Sequence, residues 1–166
     1  MKNTIYTICL IFLALTVSNG QTNSNFKKNS LSLELGKAGL IFNATFDHRI
    51  KTKNYGYKLN IGTNLTKYQQ VFQTGGGFYF LKGQKKAFLE VGIDLNYFEY
   101  KEVSDDQRSW TLLFFNEFAY TNTLYTNLNI GYRFFGNNNL FRIGISPGLM
   151  HSEFVFGGYI SYGFRL

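Results

Sequence analysis

The chain has 166 residues, 45% hydrophobic and 19% aromatic, with 17 Lys and Arg against 10 Asp and Glu, a net charge of +7. Such a balance admits a nucleic-acid partner, but no basic stripe with interleaved aromatics is present, so nucleic acid is set aside. With 17 Gly, 12 Tyr, 18 Phe and a single Pro, and no run of 18 apolar residues, the composition favours strands and excludes a helical membrane span.

Residues 1 to 20 carry one cation, Lys2, then an apolar run from Ile5 to Val17, then the small residues Ser18, Asn19 and Gly20. This is the pattern of a secretory signal peptide, too short to span a membrane as a helix. A polar, flexible amino-terminal stretch is expected over 21 to 29, and a β-barrel domain over 30 to 166. The only cysteine, Cys9, lies inside the apolar run, so a chain cut near Gln21 has neither a disulfide nor a lipidated cysteine. Loss of Lys2 leaves 16 cations against 10 carboxylates, and for a secreted chain anionic lipid A or surface polysaccharide is the expected counter-charge.

Period-two segments between turn signals predict strands at about 30 to 36, 40 to 50, 55 to 65, 70 to 81, 87 to 100, 109 to 121, 125 to 134, 140 to 147 and 155 to 166. In the fifth, Leu89, Val91, Ile93, Leu95 and Tyr97 alternate with Glu90, Gly92, Asp94 and Asn96. In the seventh, Leu128, Ile130, Tyr132 and Phe134 alternate with Asn127, Asn129, Gly131 and Arg133. The eighth sets Phe141, Ile143 and Ile145 against Arg142, Gly144 and Ser146, and the last places Ile160, Tyr162, Phe164 and Leu166 on one side. A soluble sandwich buries the apolar face of such strands, whereas a membrane barrel turns it to lipid. The signal peptide, the aromatic strand ends and the final strand favour the membrane, where only a closed barrel satisfies every backbone hydrogen bond.

The segments at 40 to 50, 88 to 93, 129 to 134, 137 to 147 and 157 to 166 resemble a family of small outer-membrane β-barrel proteins of Bacteroidota. These are strand-and-turn patterns, not catalytic motifs. The resemblance implies a small barrel in the cell outer membrane. Residues 110 to 122 depart from the pattern as an insertion.

A single-chain bacterial barrel has an even number of strands, short periplasmic turns and longer external loops, so nine candidates require one to be merged or removed. One count gives a closed, antiparallel, up-and-down transmembrane barrel of eight strands. It has turns at 51 to 54, 82 to 86 and 135 to 139, external connections at 37 to 39 and 148 to 154, and one long external excursion from 101 to 124. The rival count keeps 109 to 121 as a spanning strand and fuses 30 to 50 into one strand bulged at residues 36 to 39. The first is favoured.

The residues expected inside the barrel are Arg49, Lys58, Arg133, Arg142 and Arg165 with Glu34, Asp47, Glu90 and Asp94, and charges in so narrow a lumen persist only when paired. Catalysis on lipid would need Ser, His and a carboxylate at the outer rim, for which only His151, Ser152, Glu153, His48 and Asp47 are at hand. Neighbouring residues on a strand face opposite sides, so His151 and Ser152 meet only in an irregular loop; the loop residues are read as ordinary surface and the chain as no enzyme. Two histidines, no cysteine after residue 20 and no calcium-loop carboxylates leave no metal site, and no cofactor is expected. Gly75-Gly-Gly77 lacks a following Lys-Ser/Thr and is expected to flatten or kink the wall. The expected function is non-enzymatic, structural or surface-interacting, with a plugged lumen; a lipid-modifying enzyme and a soluble carrier of an apolar ligand are the alternatives. Expected partners are outer-membrane lipid and lipopolysaccharide, the barrel-assembly machinery through the last strand, and a surface partner at 101 to 124.

Overall fold

The computed structural model describes residues 27–37, 42–50, 54–63, 69–102, 122–150 and 153–166. Its strands are β1 (Asn29–Leu35), β2 (Phe42–Arg49), β3 (Tyr55–Thr63), β4 (Gln69–Gln84), β5 (Ala87–Glu102), β6 (Asn122–Phe135), β7 (Asn139–Ile145), β8 (Gly148–Met150), β9 (Glu153–Val155) and β10 (Gly158–Arg165). Each pairs antiparallel with its neighbours, and the sheet closes because β1 pairs with β10 and β5 pairs directly with β6.

Ten strands make eight walls. Strand β6 meets β7 at Ile130↔Ile145 and β8 at Tyr125↔Met150 in one continuous register, so β7 and β8 are a single wall strand interrupted at Ser146 and Pro147. Proline has no N–H to give the ladder, but its carbonyl still accepts from Leu128 N at 2.8 Å, and Ser146 N donates to Gly157 O at 2.6 Å. Strands β9 and β10 continue one another in the same way against β8 and β7.

The direct pairing of β5 with β6, from Glu99↔Asn122 to Ala87↔Phe134, closes the wall without a strand at 109 to 121, a segment outside the described residues. The rival fused strand over 30 to 50 is not formed, since β1 and β2 pair with each other from Asn29↔His48 to Glu34↔Asn43. Several expected boundaries shift, two of them by extension of the pairing. The turn expected at 82 to 86 shrinks to Lys85 and Lys86, because β4 pairs with β5 as far as Gln84↔Ala87. The loop expected at 148 to 154 shrinks because β8 and β9 pair up to Met150↔Glu153.

Gly75, Gly76 and Gly77 interrupt no pairing: each pairs with β3 and with β5 in unbroken register. Their use is room. A Cβ on Gly75 or Gly77 would run into the carboxamide of Asn96 or the carboxylate of Asp94.

Both ends of the described chain meet at one end of the barrel, where Leu166 N donates to Asn29 O at 2.9 Å and Arg49 N to Lys28 O at 2.8 Å. The tight turns at 85–86 and 136–138 lie at this turn end. At the opposite, loop end β1, β3 and β5 stop at Leu35, Thr63 and Glu102, and β2, β4 and β6 start at Phe42, Gln69 and Asn122.

The faces are inverted relative to a water-soluble domain. Among the described residues eight hydrophobic side chains are buried, while 27 large hydrophobic ones, Leu33, Ile93, Leu128 and Ile143 among them, are exposed on the outside. Glu34, Lys58, Glu90, Asn129, Arg142 and other polar groups are fully buried inside. A soluble fold of this size does the reverse.

Candidate functional site: a ring of charges across the lumen

Inward positions alternate along every wall, so each strand delivers a polar side chain at about the same depth. Eight of them form a closed ring of alternating charge. Asp47 on β2 pairs with Arg133 of β6 (3.1 Å), which donates Nε–H to Glu90 of β5 (2.7 Å). Glu90 faces Lys58 of β3 (3.7 Å), and Lys58 faces Asp94 of β5 (3.3 Å). Asp94 accepts from Lys37, Lys37 lies 3.8 Å from Glu34 of β1, and Glu34 accepts from Arg142 of β7. Arg142 returns to Asp47 at 3.1 Å, and its Nε crosses to Glu90 at 3.9 Å.

Four carboxylates thus balance four cations. Every one of these side chains is at most 2% exposed, which is tolerable because each charge has at least two of opposite sign beside it. The two walls that give no charge to the ring supply aromatic faces to it: Tyr79 of β4 lies under the Arg133 guanidinium at 4.2 Å, and Tyr159 of β10 under that of Arg142 at 5.6 Å. All eight walls therefore touch one electrostatic unit.

Small residues make space for the long ones. Gly131 of β6 faces Gly144 of β7, and the Tyr159 hydroxyl would lie 2.8 to 2.9 Å from a Cβ on either.

On the loop side of the ring is a layer of amides. Gln73 donates to Asn60 (3.1 Å) and Asn96 (2.9 Å), Asn96 to Asn127 (2.8 Å), and Asn127 to Asn129 (3.2 Å). Beyond it Val71, Phe98, Tyr125 and Met150 pack as an apolar layer. On the turn side Phe135 lies within 6.0 Å of three guanidiniums, those of Arg49, Arg133 and Arg165, and edge-on to Phe88. Arg165 also donates to Gly136 O at 3.0 Å, and Arg49 to Asn54 at 3.1 Å.

Seven of the nine charges expected inside enter the ring; Arg49 and Arg165 sit below it at the turn end. Lys37 was expected in an external connection and instead turns inward. Gly36, at φ 91° in a region that L side chains avoid, bends the chain so that Lys37 reaches back over the rim. The spacing Glu34-x-x-Lys37 was the signal available.

Among the described residues the catalytic ingredients are not brought together. His48 lies at the turn end, bonded to Asn29 at 2.7 Å and stacked on Tyr57 at 5.1 Å, while Asp47 belongs to the ring. Glu153 is in the β8–β9 hairpin at the loop end, and His151 and Ser152 lie outside the described residues. Among the described residues no cluster of three His, Cys, Asp or Glu could hold a metal ion.

The pairing and the inverted faces define a closed, eight-walled, up-and-down antiparallel β-barrel with a polar interior and an apolar exterior. No family model and no curated protein matches the chain. Solved structures similar to it include Neisserial surface protein A, at 10% identity and a TM-score of 0.48. Another is Ail, the attachment invasion locus protein of Yersinia pestis, at 9% and 0.44. Each comparison covers 84% of this chain and 94% of the other.

Proposed function

We propose that the protein is a non-enzymatic barrel of the bacterial outer membrane, exported by residues 1 to 20 and inserted with its turn end in the periplasm. The observation that carries this reading is the inversion of faces on a closed barrel: a continuous apolar exterior has no place in water, and closure leaves no backbone edge unpaired in lipid. The charge ring acts as a plug that stiffens the barrel and closes it to solutes. Its role is in the envelope itself or in presenting the segment 101 to 124 to a surface partner. Membership of the Bacteroidota barrel family, lipopolysaccharide as neighbour and delivery by the barrel-assembly machinery belong to the same reading.

The test is made in cells. The protein should fractionate with outer membrane and migrate differently on gels before and after boiling. A membrane-impermeant maleimide should label Asp105→Cys on intact cells and Lys86→Cys only after the outer membrane is permeabilised. Recovery in the soluble fraction would refute the location, and the opposite labelling would invert the topology. A lipid A mass spectrum altered by deleting the gene and restored by the wild-type chain but not by His151→Ala would refute the non-enzymatic reading.

A further inference from the structure

The charges that do not enter the ring or pack beside it are segregated along the barrel axis. At the turn end Lys27, Lys28, Lys85 and Lys86 are exposed and Lys82 and Arg165 half-buried. The described segments 27–30, 48–50, 54–57, 80–88, 133–140 and 162–166 that build this end contain no Asp or Glu. The acids that remain in the described strands, Glu99, Glu102 and Glu153, all fall at the loop end, where among the described residues Lys101 is the only cation outside the ring. Among the described residues the excess positive charge outside the ring therefore forms a rim at one end.

We infer that this rim is a docking surface for the phosphate headgroups of anionic phospholipid in the leaflet at the turn end. Three features favour lipid headgroups as the occupant. The lysines stand on two separate segments, the stretch before β1 and the β4–β5 hairpin, rather than in a cleft, which suits mobile phosphates better than one shaped ligand. Lysine itself is a compact charge on a flexible apolar stem, able to rise from the acyl region to the headgroups.

The second feature is the belt just inside the rim. Tyr55, Tyr57, Tyr132, Phe134, Tyr162 and Phe164 are exposed on the outer face within a few residues of the turns, and Tyr132 stacks with Phe134 at 6.3 Å while Tyr162 meets Phe164 edge-on at 5.8 Å. Amphipathic rings at that level mark the boundary between acyl chains and headgroups, so the lysines beyond it stand at phosphate depth.

The third is Lys85. It occupies the first position of a two-residue hairpin turn at φ 58°, where glycine or asparagine is easier, so the tip of the longest hairpin is cationic despite the backbone cost. Placing the rim here moves the counter-charge away from lipid A, which would sit at the loop end.

The inference rests on the membrane reading above, and its test separates the two. The full chain without residues 1 to 20 is reconstituted into phosphatidylcholine vesicles containing either spin-labelled phosphatidylglycerol or spin-labelled phosphatidylcholine, and insertion is checked by the gel-mobility shift. Electron paramagnetic resonance then gives the relative association of the two labels with the protein. Phosphatidylglycerol should be preferred about two- to fivefold at low salt, the preference falling toward one in 0.5 M salt. The variant Lys27→Gln/Lys28→Gln/Lys85→Gln/Lys86→Gln should insert normally and lose most of it, whereas Glu99→Gln should keep it. Normal insertion with no preference in the wild type, or a preference intact in the quadruple variant, overturns the inference and leaves the membrane reading standing. Failure of the wild type to insert overturns both. Tighter association of the wild type with purified lipid A, lost in the quadruple variant, overturns the choice of headgroup.

Discussion

Lys37 and Asp94 are joined across the full width of the barrel: Lys37 follows β1, Asp94 lies on β5, and β5 is the fourth wall from β1 in a ring of eight. A second bridge of the same span joins Asp47 of β2 to Arg133 of β6. Bonds between adjacent strands fix local register, but only a cross-lumen bond fixes the cross-section. Opposite walls are held together by charge where a soluble barrel would use apolar side chains.

The first prediction follows from that bridge. Lys37→Met removes one member of a balanced buried ring and should lower unfolding stability by about 3 kcal/mol, at the low end for a broken buried ion pair because Lys58 remains beside Asp94. Asp94→Asn, which leaves two ammonium groups with no carboxylate between them, should cost more. The double variant should lose less than the two single losses together, with a coupling of about 1 to 3 kcal/mol. Urea titration of the refolded chain in detergent, followed by gel mobility, measures all three. Strict additivity would mean that the bridge carries no energy.

The outer face gives the second. Ile93 is half-exposed at the middle of β5, so Ile93→Arg should destabilise the membrane-inserted state by about 2 to 4 kcal/mol, while Ile93→Ala should be nearly silent. Unfolding from phospholipid vesicles reads the difference. Equal tolerance of both would remove lipid from the outside of the barrel.

A third concerns space at the Gly131 and Gly144 pair. Gly131→Val would press on the β7 backbone and the Tyr159 hydroxyl and should prevent assembly, because the obstacle is main chain as well as side chain. Gly158→Ala, whose Cβ would meet Gly144 O at an ordinary 3.6 Å, should assemble as the wild type does. Gel mobility of the expressed variants decides between them.

Much of this was legible from period-two patterning. In β6 the alternation of Leu128, Ile130, Tyr132 and Phe134 with Asn127, Asn129, Gly131 and Arg133 assigns both faces correctly because every position obeys it. The pattern fails where the period ends or where both faces carry similar residues. Lys37 stands beyond the last residue of β1, so its direction depends on the backbone angle of Gly36 and not on parity. Tyr79 sits between Phe78 and Phe80, a stretch whose two faces look alike until the register with β3 and β5 is known. Apolar residues from 110 to 120 imitate a strand, and only the direct contact of β5 with β6 removes them from the wall.

The fourth prediction is a gain. Lys85 holds a left-handed backbone that costs an L residue about 1 kcal/mol, so Lys85→Gly should raise stability by up to that amount. Its unfolding midpoint in urea, compared with that of Lys86→Gly at the neighbouring position, isolates the backbone effect from the shared loss of charge.

The central claim is that the apolar face of each strand meets lipid and the polar face meets the lumen. Nitroxide scanning of residues 123 to 134 on β6, in vesicles and without residues 1 to 20 so that Cys9 is absent, tests it most directly. Collision with lipid-dissolved oxygen should oscillate with period two, high at Leu124, Leu128, Ile130, Tyr132 and Phe134 and low at Tyr125, Asn127, Asn129 and Arg133, in variants that retain the folded mobility. Maxima at the odd-numbered positions, or no oscillation at all, would contradict the account.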